Sequence, residues 1–140
     1  MGREEIRRPD KKGNLQMKKE LDDKLCHRFP KLYEQRNWPA TKTCMCWGFP
    51  GDGWFDLIWE LSEKLEQIDP DIRAVQVKEK FGTLRFYIDG CSGETFKVAY
   101  AEISEAESRS AKTCEDCGKP GKLRGSGWYR TLCDDCEGKR

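Results

Sequence analysis

The sequence predicts an α+β fold: helices packed on a small antiparallel β-hairpin or sheet, followed by a compact C-terminal element built around four cysteines. Three observations carry this expectation. Residues 54–68 repeat apolar side chains at helical spacing, residues 72–89 alternate apolar and polar side chains around a glycine, and two C-x-x-C pairs close the chain. A chain of 140 residues has room for one modest core and an appendage. Only 36% of it is hydrophobic, but five Trp, six Phe and four Tyr supply large buried areas, so a folded core is expected rather than disorder. The sequence divides into an arm at 1–13, a body at 14–111 and the cysteine element at 112–140.

The arm, MGREEIRRPDKKG, is charged and aperiodic, and is expected to be mobile. Leu15, Met17, Leu21 and Leu25 then recur at helical spacing, with Asn14 as a candidate N-cap and Pro30 as the stop. Between Lys31 and Gly53 the density of Pro, Gly and aromatic residues resists regular structure and predicts a structured loop over the core. A second helix follows, with Trp54, Leu57, Ile58, Leu61, Leu65 and Ile68 as its apolar stripe, Asp52 as N-cap and Asp69-Pro70 as its end.

Residues 72–89, IRAVQVKEKFGTLRFYID, read as a hairpin whose register follows from side-chain alternation. A four-residue loop from Glu79 to Gly82 pairs Lys78 with Thr83 and gathers Val75, Val77, Leu84 and Phe86 on one face. Gln76, Lys78, Thr83, Arg85 and Tyr87 then share the other. A three-residue loop would mix the two sets, so the four-residue register is expected. Ala99, Ile103, Ala106 and Ser110 predict a helix over 98–111. Phe96, Val98 and Tyr100 leave the run 95–100 open between strand and helix.

The C-terminal pattern is C-x2-C-x15-C-x2-C, formed by Cys114, Cys117, Cys133 and Cys136. Each short pair lets two thiolates reach one tetrahedral ion, and fifteen residues accommodate a hairpin between the pairs, so one structural Zn²⁺ is the expected cofactor. Four thiolates leave no open position for water, which points to folding rather than catalysis. Zinc-ribbon and treble-clef-like forms both satisfy the spacing. Lys119, Lys122, Arg124 and Arg130 offer a small basic rim around the site.

Cys26-His27 with Cys44 and Cys46 is a candidate second metal site, but C-x-C is a poor bite and helix neighbours diverge, which favours free thiols and one surface imidazole. A catalytic constellation is equally thin. His27 is the sole imidazole, and the pairs Asp52/Glu60 and Asp89/Glu94 carry no distinguishing spacing, so a non-enzymatic role is favoured. The feature closest to a ligand site is the polar hairpin face, Lys78, Arg85 and Tyr87, with Lys80 in its loop and Trp47, Trp54 and Asp52 nearby. Cations beside flat rings suit an anionic ligand carrying a base, or a partner's acidic patch.

The net charge of +1 argues against a broad duplex-binding footprint, although residues 1–40 hold eleven Lys/Arg against seven Asp/Glu while 41–70 hold two against six. No apolar run approaches the length of a membrane span, and the N-terminus lacks the apolar segment of a secretory signal. A cytoplasmic setting with reduced thiols is expected.

The segments GDGWFDLIWEL, VKEKFGTLRFYI and CEDCGKP with LCDDC together resemble a group of small phage and prophage proteins of unassigned function, over residues 29–136. The two cysteine pairs alone also resemble the tail of DksA/TraR-type regulators of RNA polymerase, whose acidic coiled-coil tip has no recognisable counterpart here. The phage resemblance implies a small binder in the host cytoplasm that modulates or blocks a host component: a defence effector, its nucleotide signal or the transcription machinery. Its partner would be a host protein or a small anionic ligand. A nucleic-acid-binding accessory protein using the arm and the ribbon is the alternative, and a small enzyme with an unrecognised site is the third.

Overall fold

The computed structural model describes residues 16–125 and 127–139. The predicted arm, the candidate N-cap Asn14 and Leu15 at the start of the first apolar repeat lie outside the described residues. The fold is α+β, with four helices and two separate two-stranded antiparallel sheets. In chain order these are α1 (Lys19–Arg28), α2 (Phe55–Ile68), β1 (Arg73–Lys80), β2 (Thr83–Asp89), α3 (Gly93–Ser110), β3 (Lys122–Arg124), β4 (Arg130–Leu132) and α4 (Asp134–Gly138).

Helix α1 ends just before Pro30, as expected, and turns Leu25 into the core. The loop after it winds through three short 3₁₀ turns, Glu34–Asn37, Met45–Trp47 and Asp52–Trp54. Arg36 fastens this loop to α1 with a forked contact to Asp22, at 3.1 Å from Nε and 2.8 Å from Nη2, and also donates to the carbonyl of Cys46. Helix α2 buries Leu57, Ile58, Leu61 and Leu65, most of the predicted stripe, together with Ser62, whose hydroxyl lies 2.6 Å from that of Tyr33. Edge-to-face contacts link Phe29 to Trp59 and Tyr33 to Phe49.

Asp52 does not cap α2. Its carboxylate accepts the backbone N–H of Lys18 at 2.8 Å and so ties the start of α1 to the loop, while the 3₁₀ turn Asp52–Trp54 leads into α2 without a side-chain cap.

The hairpin differs from the expected register by two residues. Lys80 pairs with Thr83, Lys78 with Arg85 and Val77 with Phe86, so the loop is the two-residue turn Phe81-Gly82. Both residues have positive φ, 55° and 85°, the signature of a type I′ turn. A shift of two preserves the side-chain faces, which is why Val77, Leu84 and Phe86 are buried as predicted. Val75 is the exception. A bulge between Ala74 and Gln76 substitutes Ala74 for it in the core.

Helix α3 resolves the ambiguous run 95–100 as helix. Ser92 is the N-cap, its hydroxyl accepting from the N–H of Thr95, and Ala99, Ile103, Ala106 and Ser110 are its buried positions. The same helix covers the outer edge of β2, because Ser110 Oγ accepts from Leu84 N and Glu107 Oε2 from Phe86 N. None of the helices among the described residues is long and apolar enough to cross a membrane.

Candidate functional site

The metal-ligating cluster is assembled from three local pieces. Cys114 and Cys117 sit on a tight turn in which Cys114 O accepts from Gly118 N and Cys114 N donates to Lys119 O, with Gly118 at φ +84°. Strands β3 and β4 then bring the chain back. Cys133 stands at the N-cap of α4 and Cys136 in its first turn, with Cys133 Sγ accepting from Cys136 N at 3.4 Å. This order of turn, hairpin and short helix is consistent with the compact four-cysteine element expected from the spacing.

The four Sγ atoms all lie within 4.8 Å of one another, and those of Cys117 and Cys133 are 3.6 Å apart. Around a tetrahedral zinc with bonds of about 2.3 Å, sulfurs stand about 3.8 Å from each other, so the cluster fits one ion. The N–H of Cys136 lowers Cys133 to about 7, whereas burial pushes Cys136 the other way. Cys114 is fully buried and Cys133 nearly so, and among the described residues no carboxylate or imidazole joins the cluster. The set is closed, which suits a structural ion.

The element is locked to the body by the segment 51–54. Gly53 N donates to Glu115 O at 2.7 Å, Gly51 N to Glu115 Oε2 at 3.0 Å, and the indole of Trp54 to Thr113 O at 2.8 Å. A Cβ on Gly53 would lie 2.1 Å from Cys114 O, and one on Gly51 2.6 Å from Glu115 O, so the glycines of GDG permit this approach. That role was not legible in the sequence. Nor was that of Glu115, a carboxylate 1% exposed inside the junction. Burial raises it to about 7, against the opposing pull of Gly51 N–H and Arg130.

The predicted basic rim is correspondingly smaller. Arg130 is buried and paired with Asp116 at 2.5 Å, with Glu115 at 3.8 Å, and Arg124 pairs with Asp134 at 2.6 Å. Lys119 and Lys122 alone of the four remain exposed.

The hairpin face brings together Lys78, Arg85 and Tyr87, with Lys80 at the turn. Lys78 Nζ is 5.9 Å from the centroid of Tyr87, Lys80 Nζ is 5.6 Å from that of Phe81, and Arg85 donates to Thr83 Oγ1 at 2.9 Å. Among the described residues, none of these three cations forms an ion pair. Lys78 and Tyr87 also border a shallow groove of about 480 Å³, lined as well by Lys42, Thr43, Cys44 and the carboxylate-bearing Asp89. Trp54 is fully buried and belongs to the core rather than to this face, because its indole N–H is used by Thr113. Trp47 is exposed on the turn beside β1, and Asp52 is occupied by Lys18. Phe81, 59% exposed, is the ring that sequence reasoning overlooked. Its position in a predicted loop gave no signal.

Cys26, Cys44 and Cys46 do not gather with His27 into a second metal-binding group among the described residues. Cys26 contacts Asp22 and is pushed up to about 12 by burial, with Asp22 adding to the effect, while Cys46 contacts Thr43 O. Comparisons of the chain with protein-family models, with curated proteins and with solved structures find no match.

Proposed function

We propose that the chain is a small non-enzymatic binding protein of the phage type, folded around one structural zinc, that engages an anionic host component through the outward face of its hairpin. The host component is an acidic patch of a defence effector, its nucleotide signal or the transcription machinery. One observation supports the reading: Lys78, Lys80 and Arg85 share a face on which, among the described residues, no acidic side chain forms an ion pair with them, beside the exposed rings of Tyr87 and Phe81. An unneutralised cluster beside flat rings is suited to an external anion. The motif resemblance to phage and prophage proteins supplies the host setting.

The test is native mass spectrometry of the protein purified from cells, as wild type and as Lys78→Glu/Arg85→Glu. The reading expects one zinc in both and a co-purifying species in the wild type alone. The same species on both proteins, or a variant with a much lower melting temperature, would show that the face is not the binding surface.

A further inference from the structure

We infer that the groove lined by the outward face of the hairpin and the 3₁₀-rich loop binds a guanine nucleotide, with its phosphate on Lys78 and Lys42, its base on the ring of Tyr87 and its donor edge on the carboxylate of Asp89. This rests on the reading of the hairpin face as the binding surface and names its ligand class.

The outward face is graded along β2 rather than uniformly charged. Arg85, Tyr87 and Asp89 occupy successive outward positions, each about 7 Å from the next at the rise of a strand, and Lys78 pairs opposite Arg85. Cation, ring and carboxylate therefore follow one another. Tyr87 is 39% exposed, and Lys78, Tyr87, Asp89 and Lys42 all line the groove of about 480 Å³, a space of small-molecule size. Among the described residues neither Lys42 nor Lys78 forms an ion pair. Asp89 is not neutralised by its ladder partner Arg73, which pairs with Glu34 at 3.3 Å instead. One oxygen of Asp89 accepts the N–H of Gly90 at 2.8 Å, and Oδ2 takes no hydrogen bond among the described residues.

That order selects the ligand. A polyanion, whether a nucleic-acid strand or an acidic peptide, would lay negative charge against Asp89. A free amino acid carries both of its charges on one carbon and has no flat group to place between them. A nucleotide holds an anion, a flat base and a polar base edge in the observed sequence of cation, ring and carboxylate. An ionised carboxylate only accepts hydrogen bonds, so the edge that meets Asp89 must donate. Guanine alone of the common bases sets two donors side by side, N1–H and the 2-amino group. Adenine and cytosine set one amino group beside a ring acceptor, and uracil sets N3–H between two carbonyls.

The experiment is isothermal titration calorimetry of the zinc-loaded full chain with GMP, AMP, guanosine and, separately, polyglutamate. GMP should bind, and AMP should bind about tenfold more weakly, because its ring acceptor opposes the carboxylate. Guanosine, without the phosphate, should also be weaker than GMP. Tyr87→Ala should weaken GMP at least about fivefold. Asp89→Asn keeps an acceptor for Gly90 N–H, so the melting temperature should hold, but an amide matches the edge of adenine and the preference for GMP over AMP should vanish. A merely structural role for Asp89 would weaken both nucleotides alike. Equal binding of GMP and AMP by the wild type, a preference untouched by Asp89→Asn, or no GMP binding overturns the inference. Polyglutamate binding that Lys78→Glu/Arg85→Glu abolishes, without GMP binding, overturns the nucleotide and keeps the face as a surface for an acidic protein. Binding of neither probe, or GMP binding unaffected by Lys78→Glu/Arg85→Glu, would overturn both the ligand class and the face.

Discussion

The hydroxyl of Thr131 donates to the carbonyl of Gly82 across 2.7 Å, joining the hairpin of the four-cysteine element to the turn of the larger one 49 residues earlier in the chain. Glu79 accepts the N–H of the same glycine, so both polar groups of Gly82 are satisfied, one by each hairpin. The turn that presents Lys80 and Phe81 is therefore fixed partly by the metal element.

Thr131→Val keeps the shape of a fully buried side chain and removes this donor. It should cost about 1–2 kcal/mol in denaturant unfolding, the loss expected when a buried acceptor is left unpaired, with the zinc content unchanged at one ion. A neutral result would mean that water replaces the hydroxyl and that the turn does not depend on β4.

Gly53→Ala tests the docking of the cysteine turn on the body. The new methyl would meet the backbone oxygen of Cys114 at 2.1 Å, and neither backbone can give way without breaking the Gly53–Glu115 hydrogen bond. A loss of about 1–3 kcal/mol is expected. Gly127→Ala, where nothing lies within 4 Å of the added carbon, is the control and should stay within about 0.5 kcal/mol of the wild type.

Glu115→Ala removes the acceptor for Gly51 N–H and leaves the buried Arg130 with Asp116 as its remaining acidic partner. The destabilisation should be about 1–3 kcal/mol, because the Gly51 amide is left unpaired in the buried junction while Arg130 keeps its ion pair with Asp116. Glu115→Gln retains the acceptor and should lose less. Equal losses in the two variants, measured by chemical denaturation, would show that the charge and not the hydrogen bond matters.

The parts legible in the sequence were those fixed by short-range periodicity. The stripe of α2, the four buried positions of α3 and the four cysteines were readable because spacings of three to four residues, or of two within a pair, leave little choice. The faces of the hairpin were readable too, since any even shift of register preserves them. The turn itself was not, because a phenylalanine in a left-handed position contradicts the ordinary preference for asparagine or glycine. Val75 was misplaced because a bulge has no mark in the alternation. Asp52 and Glu115 were missed or misread for a different reason. Their partners, Lys18 and Gly51, lie 34 and 64 residues away, beyond any local pattern.

Amide hydrogen exchange followed by mass spectrometry, on the zinc-loaded protein and after chelation, asks whether the four-thiolate centre organises the rest of the molecule. Loss of the ion should expose not only residues 112–136 but also 51–54 and 80–84, the segments held through Glu115, Thr113 and Thr131, while α2 stays protected. Cys114→Ser should reproduce the chelated pattern. Increased exchange confined to 112–136, or retention of one zinc by Cys114→Ser, would contradict a metal centre that positions the binding face.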